Sequence, residues 1–395
     1  MSSPFPEVVI LGAARTPMGG LLGALKSVTA PQLGAIAISA ALARSGVPAA
    51  RVERVLMGCV LAAGLGQAPA RQAALGAGLP DSVPCTTLNK VCGSGMEALM
   101  FAYDAIRSGS NEVIIAGGME SMSNAPYLLP KYRAGGRIGH GQVLDSMFLD
   151  GLEDAYEPGR LMGSFGDEVA RRHGFSRADQ DAFAFESLRR ACAAQAAGAF
   201  TAEITPVTLP GREALVISAD EQPPKANPGK IPSLKPAFSP NGSITAANAS
   251  SISDGAAALV TAARATADAL GVRPLARIAG TATHAGRPAD FAEAPVPAIR
   301  KLLAKLGWQV GDVDLFEVNE AFAKVAMIAM QELGIPHEKL NVNGGACALG
   351  HPLGASGARI VVTLLAALQA RGFRRGVATL CIGGGEATAI AVELI

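Results

Sequence analysis

The 395-residue sequence has almost no net charge and no long apolar run, and both absences exclude large classes of protein. Lys and Arg together number 34 against 33 for Asp and Glu, so the chain has no global attraction to nucleic acid or to an anionic membrane. Its longest apolar runs, such as IVVTLLAAL, have about half the length that a transmembrane helix needs. We therefore expect no nucleic-acid partner and no membrane association.

The N-terminal segment lacks the basic residues that open a secretion signal. It reads MSSPFPEVVILGAARTP, and Glu7 stands directly before the apolar run. This pattern is typical of a first strand. We therefore expect a cytoplasmic protein.

Cysteine and histidine are too few and too irregularly spaced to build a disulfide framework or a metal site. None of the six cysteines forms a CxxC pair, which predicts free thiols in a reducing compartment. The five histidines show no paired ligand spacing, so we expect no metal. The cysteines are Cys59, Cys85, Cys92, Cys192, Cys347 and Cys381.

The two ends of the chain resemble each other. EVVILGAARTP, APQLGAIAISAALARSGV and RVERVLMGCV recur, at an offset of about 260 residues, as PLARIAGTATH, APVPAIRKLLAKLGW and DVDLFEVNEAF. Alternating strand and helix patterns of this kind predict a duplicated α/β unit with mostly parallel sheets covered by helices. Between the halves the composition shifts toward Pro, Gly and charge, which indicates an inserted loop domain. We assign residues 1–122 and 246–270 to the N-terminal half, 123–245 to the loop domain and 271–395 to the C-terminal half.

Cys92 lies where a strand-like run gives way to a helical one, in NKVCGSGMEALMFAYDAI. A helix starting near Gly95 would direct unpaired N–H groups and the positive end of its dipole at the thiol, and so lower the cysteine pKa from its free value of ~8.5. Gly93 would let a substrate approach the backbone closely. A buried, inert cysteine is the alternative, and for a lone cysteine it is the commoner case.

Partners in the second half favour the reactive cysteine. His351, in GHPLGASG, stands just before the matching helix, and a histidine in hydrogen-bond reach of a thiol can take its proton. Cys381, in CIGGGEA, supplies a second thiol that can act as acid and base in turn. Asn319, in FEVNEAF, follows a strand and offers an amide donor to a developing oxyanion.

Five motifs in this order, VCGSGM, GGMESMS, NEAF, GGACALGHPLGASGAR and CIGGGEA, resemble the thiolase family along the whole chain. The resemblance implies a duplicated, five-layered α-β-α-β-α fold with an inserted loop domain. It also implies an acyltransferase, most similar to the short-chain acetyl-CoA C-acetyltransferases. These perform a reversible Claisen condensation of two acetyl-CoA to acetoacetyl-CoA and CoA through an acyl-cysteine intermediate.

The resemblance assigns a role to each motif residue. Cys92 is the nucleophile that takes the acyl group, His351 activates it, and Cys381 moves the proton at the α-carbon of the substrate. Asn319, through a water, shares one oxyanion hole with His351. The backbone N–H groups of Cys92 and Gly383 form the second.

The resemblance also places coenzyme A, as a substrate and product and not as a tightly bound cofactor. TAANASSISDGAAAL resembles the family's pantetheine-binding segment, with Ser250 at the contact position. The residues expected to line the tunnel are Leu161, Met162, Phe238, Ala246 and Phe322.

The sequence departs from the family pattern at several positions near this site. Many short-chain thiolases have a histidine where Leu161 stands and an arginine near Pro223 for the nucleotide. Lys225 and Lys230 are nearby and either meet the CoA phosphates or lie on a solvated loop. The acidic residues Asp167, Glu168 and Glu386 are also unusual and leave the acyl specificity open.

Three related classes of protein are alternatives to the acetyltransferase. A degradative 3-ketoacyl-CoA thiolase of broad chain length has the same motifs, and a non-catalytic acyl carrier would lack Cys92 or His351. A ketosynthase would have a histidine in place of Cys381.

GGMESMS, with Met119 and Met122, resembles the family's dimer surface, and residues 126–145 resemble its tetramer contact. We therefore expect a homo-oligomer, a tetramer built as a dimer of dimers.

Overall fold

The computed structural model describes residues 5–209, 211 and 214–395. The strands are β1 (Val8–Arg15), β2 (Gly19–Gly20), β3 (Arg54–Gly58), β4 (Cys85–Leu88), β5 (Val113–Ser121), β6 (Tyr127–Leu128), β7 (Leu144–Asp145), β8 (Val207–Leu209), β9 (Leu215–Ile217), β10 (Ser253–Ala263), β11 (Ala276–Ala285), β12 (Leu315–Val318), β13 (Arg375–Ile382) and β14 (Glu386–Leu394). The α-helices are α1 (Ala30–Ser45), α2 (Pro69–Gly76), α3 (Ser94–Arg107), α4 (Met162–Arg172), α5 (Arg177–Ala196), α6 (Gln222–Lys225), α7 (Arg264–Leu270), α8 (Pro295–Leu306), α9 (Ala323–Leu333), α10 (Ala346–Leu349) and α11 (Leu353–Arg371).

The sheet order shows the duplication directly. The first half runs β4-β3-β5-β10-β1, with β10 antiparallel to its neighbours, and the second runs β12-β13-β14-β11 with β14 antiparallel in the same position. In the second half, the position of β4 is taken by a single parallel bridge between Leu340 and Phe316 of β12. The two halves meet where β1 pairs with β11 over two residue pairs, Val9 with Arg277 and Ile10 with Ala276. The strands are therefore mixed in direction, because the last strand of each repeat runs against the others.

Helices cover both faces of each half-sheet and make five layers. α1 and α2 pack on the outer face of the first half, and α8 and α9 on the outer face of the second. α3 and α11 lie between, and α11 contacts β5 and β10 on one side and β12 and β13 on the other. The expected fold class, a duplicated α-β-α-β-α arrangement, is confirmed.

The central helix α11 is apolar on nearly all sides. It is the one helix in the described ranges that is long and apolar enough to cross a bilayer, yet 83% of its most apolar window is buried inside the protein. A helix that is hydrophobic all round suits a position between two sheets, where no face meets water. Its apolarity is thus accounted for by the core.

Glycines bring the first turns of α3 and α11 into backbone contact. A Cβ on Gly357 would lie 2.4 Å from the backbone nitrogen of Met96, and a Cβ on Gly95 would lie 2.8 Å from the carbonyl oxygen of Gly354. Side chains at these positions would force the two helices apart. Since Cys92 precedes α3 and His351 precedes α11, this contact brings the two motifs together.

The segment between β5 and β10 contains α4, α5, α6 and two short hairpins, β6-β7 and β8-β9. The longest of these helices, α5, starts at a capping box formed by Ser176 and Asp179. The domain boundaries given above stay a prediction.

The expectation that Met119 and Met122 of GGMESMS lie on a dimer surface was wrong. Met119 and Met122 are 0% and 3% exposed within the chain itself, because β5 lies in the middle of its sheet between β3 and β10. These two side chains therefore pack in the protein's own core.

Candidate active site

One predominantly apolar cavity of about 470 Å³ joins the two halves and the inserted segment. Cys92, His351, Cys381 and Gly383 all line its wall. They come from three different loops of the duplicated fold, at the ends of strands and the starts of helices. The structure thus places four of the five expected catalytic residues on one surface.

The Cys92 loop is fixed by its own hydrogen bonds. The Ser94 hydroxyl donates to the Val91 carbonyl at 2.6 Å and accepts from the Lys90 N–H at 2.8 Å. Val91 takes the left-handed conformation, with φ of 46°. This tight turn places Cys92 immediately before α3, which starts at Ser94, one residue ahead of the expected Gly95.

The expected lowering of the Cys92 pKa was wrong. Burial raises the pKa of this thiol to about 11, although the backbone N–H groups of Gly383 and Cys92 act in the opposite direction. Desolvation of the charged form outweighs the helix terminus because a thiolate in an apolar cavity loses its water. In the unliganded protein Cys92 is therefore a neutral thiol near pH 7.

His351 is buried, and its imidazole is held by Ser356. Nδ1 lies 2.5 Å from the Ser356 hydroxyl, and that hydroxyl donates to the Pro352 carbonyl at 2.8 Å. Burial, assisted by the positive charge of Arg359, lowers the pKa of His351 to about 3. The ring is therefore neutral at physiological pH and has a nitrogen free to accept a proton.

Asn319 does not line the cavity but lies directly behind His351. Its amide nitrogen is 3.4 Å from Nδ1 and 3.5 Å from Nε2, so the amide faces the imidazole as a whole. The amide oxygen accepts a hydrogen bond from Arg359 Nη2 at 3.2 Å. Asn319 thus lies next to His351, as expected.

Cys381 is the last residue but one of strand β13, and the turn after the strand carries Gly383. The turn closes through Gly384 and Gly385, whose φ values of 91° and 87° require glycine. Burial and the neighbouring Cys92 raise the pKa of the Cys381 thiol, whereas the positive charge of Lys324 lowers it. Lys324 is itself fully buried, and its Nζ lies 4.3 Å from the centre of the Phe322 ring. Burial lowers the pKa of Lys324 to about 7.

The residues expected to line the CoA tunnel lie on the same cavity as the catalytic residues. All six, Leu161, Met162, Phe238, Ala246, Ser250 and Phe322, are on its wall. Phe322 makes edge contacts with Phe238 and Phe291, with ring centres 6.2 and 6.1 Å apart. This aromatic cluster forms one apolar side of the cavity.

Lys225 and Lys230 lie outside this cavity, on a second one of about 350 Å³. The two cavities share Ala246 and Ser251 on their walls, so they adjoin. Lys225 is paired with Glu221, whereas Lys230 takes part in none of the ion pairs found among the described residues. Cys347 also lines this second cavity.

The three unusual acidic residues are engaged in structural contacts. Asp167 accepts hydrogen bonds from the backbone N–H groups of Ser243 and Ile244, at 2.7 and 3.2 Å. Glu168 pairs with Arg160, and Glu386 pairs with Lys90 at 2.5 Å. None of the three lines the catalytic cavity.

Two buried glutamates attach the motif loops to each other. Glu120 accepts from the backbone N–H groups of Gly354, Val60 and Leu61 at 2.8, 3.0 and 3.1 Å, and its burial raises its pKa to about 7. Glu320 accepts from Ser187, Asn341 and the Cys347 N–H.

The sequence interpretation missed several residues of the site. Ser356 and Arg359 contact His351 and Asn319, and Phe148, Leu152 and Phe291 complete the cavity wall. Ser356 and Arg359 lie three residues apart inside the quoted GASGAR segment, so their spacing on one helical face was an available signal. Phe148 and Leu152 come from a short helical turn in the inserted segment, for which no such signal exists.

Together, the fold and the cavity define an acyl-transferring enzyme with two cysteines and a histidine on one apolar wall. The chain matches the family description "Thiolase, N-terminal domain" over residues 8–265 and "Thiolase, C-terminal domain" over residues 272–394. The chain belongs to the thiolase family.

Curated relatives cover nearly the whole chain. It is 51% identical to acetyl-CoA acetyltransferase 2 of Arabidopsis thaliana, over 98% of this chain and 97% of the relative. It is 50% identical to the acetyl-CoA acetyltransferase of Chromobacterium violaceum, over 98% of this chain and 99% of the relative.

Solved structures show the same architecture. The Acat5 thiolase from Ascaris suum, in complex with coenzyme A, superposes with a TM-score of 0.94 at 41% identity and covers 98% of this chain and 100% of that one. The acetyl-CoA acetyltransferase of Bacillus anthracis superposes with a TM-score of 0.96 at 40% identity, and the match covers 99% of each chain.

Proposed function

We propose that this thiolase is an acetyl-CoA C-acetyltransferase, which joins two acetyl-CoA to acetoacetyl-CoA and CoA. The observation that carries the proposal is the single cavity wall that unites Cys92, His351, Cys381 and Gly383. The relatives at about half identity are named for this activity, and the structural relative from Ascaris suum contains coenzyme A. CoA is a substrate and product here, not a resident cofactor.

In the first half-reaction Cys92 takes the acetyl group. Its proton passes to His351, its sulfur attacks the thioester carbon, and CoA leaves as a thiol with the proton. The backbone N–H groups of Cys92 and Gly383 stabilise the tetrahedral oxyanion, an interaction typically worth ~2.7 to 4 kcal/mol for one donor. The acyl-cysteine remains a thioester and so stays activated.

In the second half-reaction a carbon–carbon bond forms. The Cys381 thiol first gives its own proton to His351, and the resulting thiolate removes an α-proton from a second acetyl-CoA. The enolate carbon attacks the acetyl carbon on Cys92, the bond from that carbon to the Cys92 sulfur breaks, and the proton held by His351 returns to the Cys92 thiolate. Asn319 and His351, through a water, stabilise the enolate oxygen.

Binding of CoA uses both cavities. Ser250, Phe238, Leu161, Met162, Ala246 and Phe322 surround the pantetheine and acyl part. The adjoining cavity receives the nucleotide, with Lys230 on its wall as the cation for the phosphates and Lys225 beside it in an ion pair with Glu221. Neutralising Lys230 should therefore raise KM for CoA more than neutralising Lys225.

The proposal is tested by following the acetyl group. Incubation with acetyl-CoA should add one acetyl group, and peptide mass mapping should find it on Cys92. The Cys381→Ser enzyme should still become acetylated on Cys92 but should no longer catalyse the condensation. Label on Cys59 or Cys192 with Cys92 unmodified would contradict the assignment, as would a Cys381→Ser enzyme as active as wild type.

The acyl range is tested separately, by steady-state thiolysis of 3-oxoacyl-CoA substrates of rising chain length. A short-chain enzyme should lose kcat/KM steeply beyond the four-carbon substrate, because the aromatic cluster of Phe238, Phe291 and Phe322 bounds the cavity. A flat profile would favour the broad-range 3-ketoacyl-CoA thiolase.

We further propose that the protein is a cytoplasmic homotetramer. All six cysteines are free thiols, which fits a reducing compartment. The loop of residues 126–145 exposes large apolar side chains, including Tyr127 at 69%, Val143 at 61% and a fully exposed Ile138. Apolar side chains on a protruding loop support its burial against another subunit.

A further inference from the structure

We infer that Ser356 and Arg359, neighbours on one face of α11, are positioning residues that fix the hydrogen-bonding polarity of the His351–Asn319 pair. Ser356 sets which ring nitrogen of His351 carries the proton, and Arg359 sets which way the Asn319 amide points. The inference rests on the roles proposed above for His351 and Asn319. Neither Ser356 nor Arg359 lines the two cavities described above, so each acts through its partner.

The Ser356 hydroxyl has one proton, and that proton is already committed. It is donated to the Pro352 carbonyl at 2.8 Å, so toward His351 the hydroxyl oxygen can only accept. At 2.5 Å from Nδ1 it therefore accepts the Nδ1–H hydrogen bond. Nε2 is left without a proton, in the form that a general base requires. The opposite tautomer would place two lone pairs against each other at this distance.

The guanidinium of Arg359 has donors and no acceptor. Its Nη2 lies 3.2 Å from the Asn319 side chain, so the amide oxygen must face Arg359. The amide NH₂ is then directed to the opposite side, where it lies 3.4 and 3.5 Å from the His351 nitrogens. A flipped amide would direct its NH₂ at a cation and its oxygen at the site. Arg359 thus makes Asn319 a donor on the side of the site.

Burial and the positive charge of Arg15 lower the pKa of the Arg359 guanidinium, whereas the carboxylates of Glu317, Glu203 and Asp220 raise it. Arg359 is 1% exposed, and its Nη1 lies 3.9 Å from Glu317. Behind it, Arg15 binds Glu203 at 2.6 Å and Asp220 at 2.7 Å in a second buried cluster. An arginine keeps its charge at such a position, whereas a lysine readily loses its proton when buried. Arg359 is therefore a lasting cation that offers Asn319 only donors.

The Ser356 part is tested by nitrogen NMR of protein labelled at histidine, with His351→Ala used to assign the signal. Wild-type His351 should show a protonated Nδ1 and an unprotonated Nε2. In Ser356→Ala both tautomers should appear, and acetylation of Cys92 should slow by roughly 10- to 100-fold, a part of the ~10²–10⁴ that a general base supplies. Thr363→Val removes another buried α11 hydroxyl, bonded to Glu203 at 3.2 Å, and should change the rate by less than about threefold. A protonated Nε2 in wild type, or a wild-type rate in Ser356→Ala, would overturn the inference.

The Arg359 part is tested by a double-mutant cycle with Asn319. Arg359→Gln should lower kcat roughly tenfold or more in the wild-type background, with KM nearly unchanged, and by less than about threefold in Asn319→Ala. The loss disappears because no amide remains to be oriented. If Arg359→Gln does not fold, Arg359→Lys serves in the same cycle, since one ammonium cannot reproduce the guanidinium geometry. Equal losses in both backgrounds would assign Arg359 a merely structural role and overturn the inference.

The reference variants separate this inference from the proposed function. Wild-type rates in His351→Ala and Asn319→Ala would reject the proposed roles, and the inference with them. Strong losses in those two variants, combined with unaffected Ser356→Ala and Arg359→Gln enzymes, would reject the inference alone.

Discussion

At the scale of single residues, burial decides the resting charge of the site. The pKa of the Cys92 thiol is raised to about 11 and that of His351 is lowered to about 3, so both groups rest in their neutral forms. A preformed thiolate–imidazolium pair is therefore absent at neutral pH. In the proposed mechanism the proton moves from Cys92 only when the bound thioester supplies an electrophile, and the backbone donors at Cys92 and Gly383 offset the cost of the charge.

This resting state gives a pH dependence that can be measured on the free enzyme. A thiol with a pKa near 11 is ionised at about one part in 10⁴ at pH 7, and its thiolate fraction rises about tenfold per pH unit. Alkylation of Cys92 by iodoacetamide should therefore keep accelerating from pH 7 to pH 9.5. The 240 nm absorbance difference between wild type and Cys92→Ser should show no thiolate at pH 7. A plateau in the alkylation rate below pH 8 would show that the helix terminus dominates after all.

At the scale of elements, two helix starts meet through glycine. The contact of α3 and α11 at Gly95, Gly354 and Gly357 sets the separation of the Cys92 and His351 loops, and Glu120 ties the His351 side to the loop after β3. Lys90 and Glu386, 2.5 Å apart, similarly join the Cys92 loop to the turn that carries Gly383. The geometry of the site thus depends on how closely whole elements approach.

Gly357→Ala should test this dependence. The new methyl group would meet the Met96 backbone nitrogen at 2.4 Å, and backbone cannot move aside as a side chain does. We expect a destabilisation of about 1–3 kcal/mol in chemical unfolding and a slower acetylation of Cys92. Gly311→Ala is the matched control, since a Cβ there has open space, and it should leave both measurements unchanged. An unaltered Gly357→Ala enzyme would mean that the helices can separate at no cost.

The sequence could predict features that depend on local patterns, but not those that depend on packing between distant elements. The motif order identified the family and the fold class, and the repeats placed Cys92 and His351 on equivalent turns, because strand and helix patterns are local. The Cys92 pKa was predicted in the wrong direction, because its burial depends on loops far away in the chain, such as the one containing Phe148. The contacts of Ser356 and Arg359 depend on the rotation of α11 against β12. That rotation is set by packing, which no local pattern reveals.

At the scale of the whole molecule, the exposed apolar loop is the feature that a single chain does not explain. Residues 126–145 carry a two-stranded hairpin, β6-β7, and Tyr132, Ile138 and Val143 project from it into solvent. A loop of this kind has few contacts within its own chain and loses much entropy if it is ordered alone. A closed assembly that buries it removes both costs.

Light scattering should accordingly give a mass near four chains at micromolar concentration. Deletion of residues 131–141 should leave dimers in which Cys92 is still acetylated, because the deleted segment lines neither cavity. Replacement of Ile138 and Val143 by Ser should weaken the tetramer in the same direction. A monomeric wild-type protein would refute the assembly, and tetramers that persist without the loop would place the contact elsewhere.

The position of α11 also has a consequence for how the chain is made. This helix covers the inner faces of β5 and β10, yet its first residue, Leu353, is synthesised 90 residues after the last residue of β10, and only β13 and β14 follow it. During translation the apolar surface that it will cover stands open on the nascent chain while the inserted segment and most of the second half are still being added. Such a surface is prone to aggregate before its partner arrives. We therefore expect the N-terminal half to complete its packing only after α11 leaves the ribosome, with a defined apolar face open to chaperones until then.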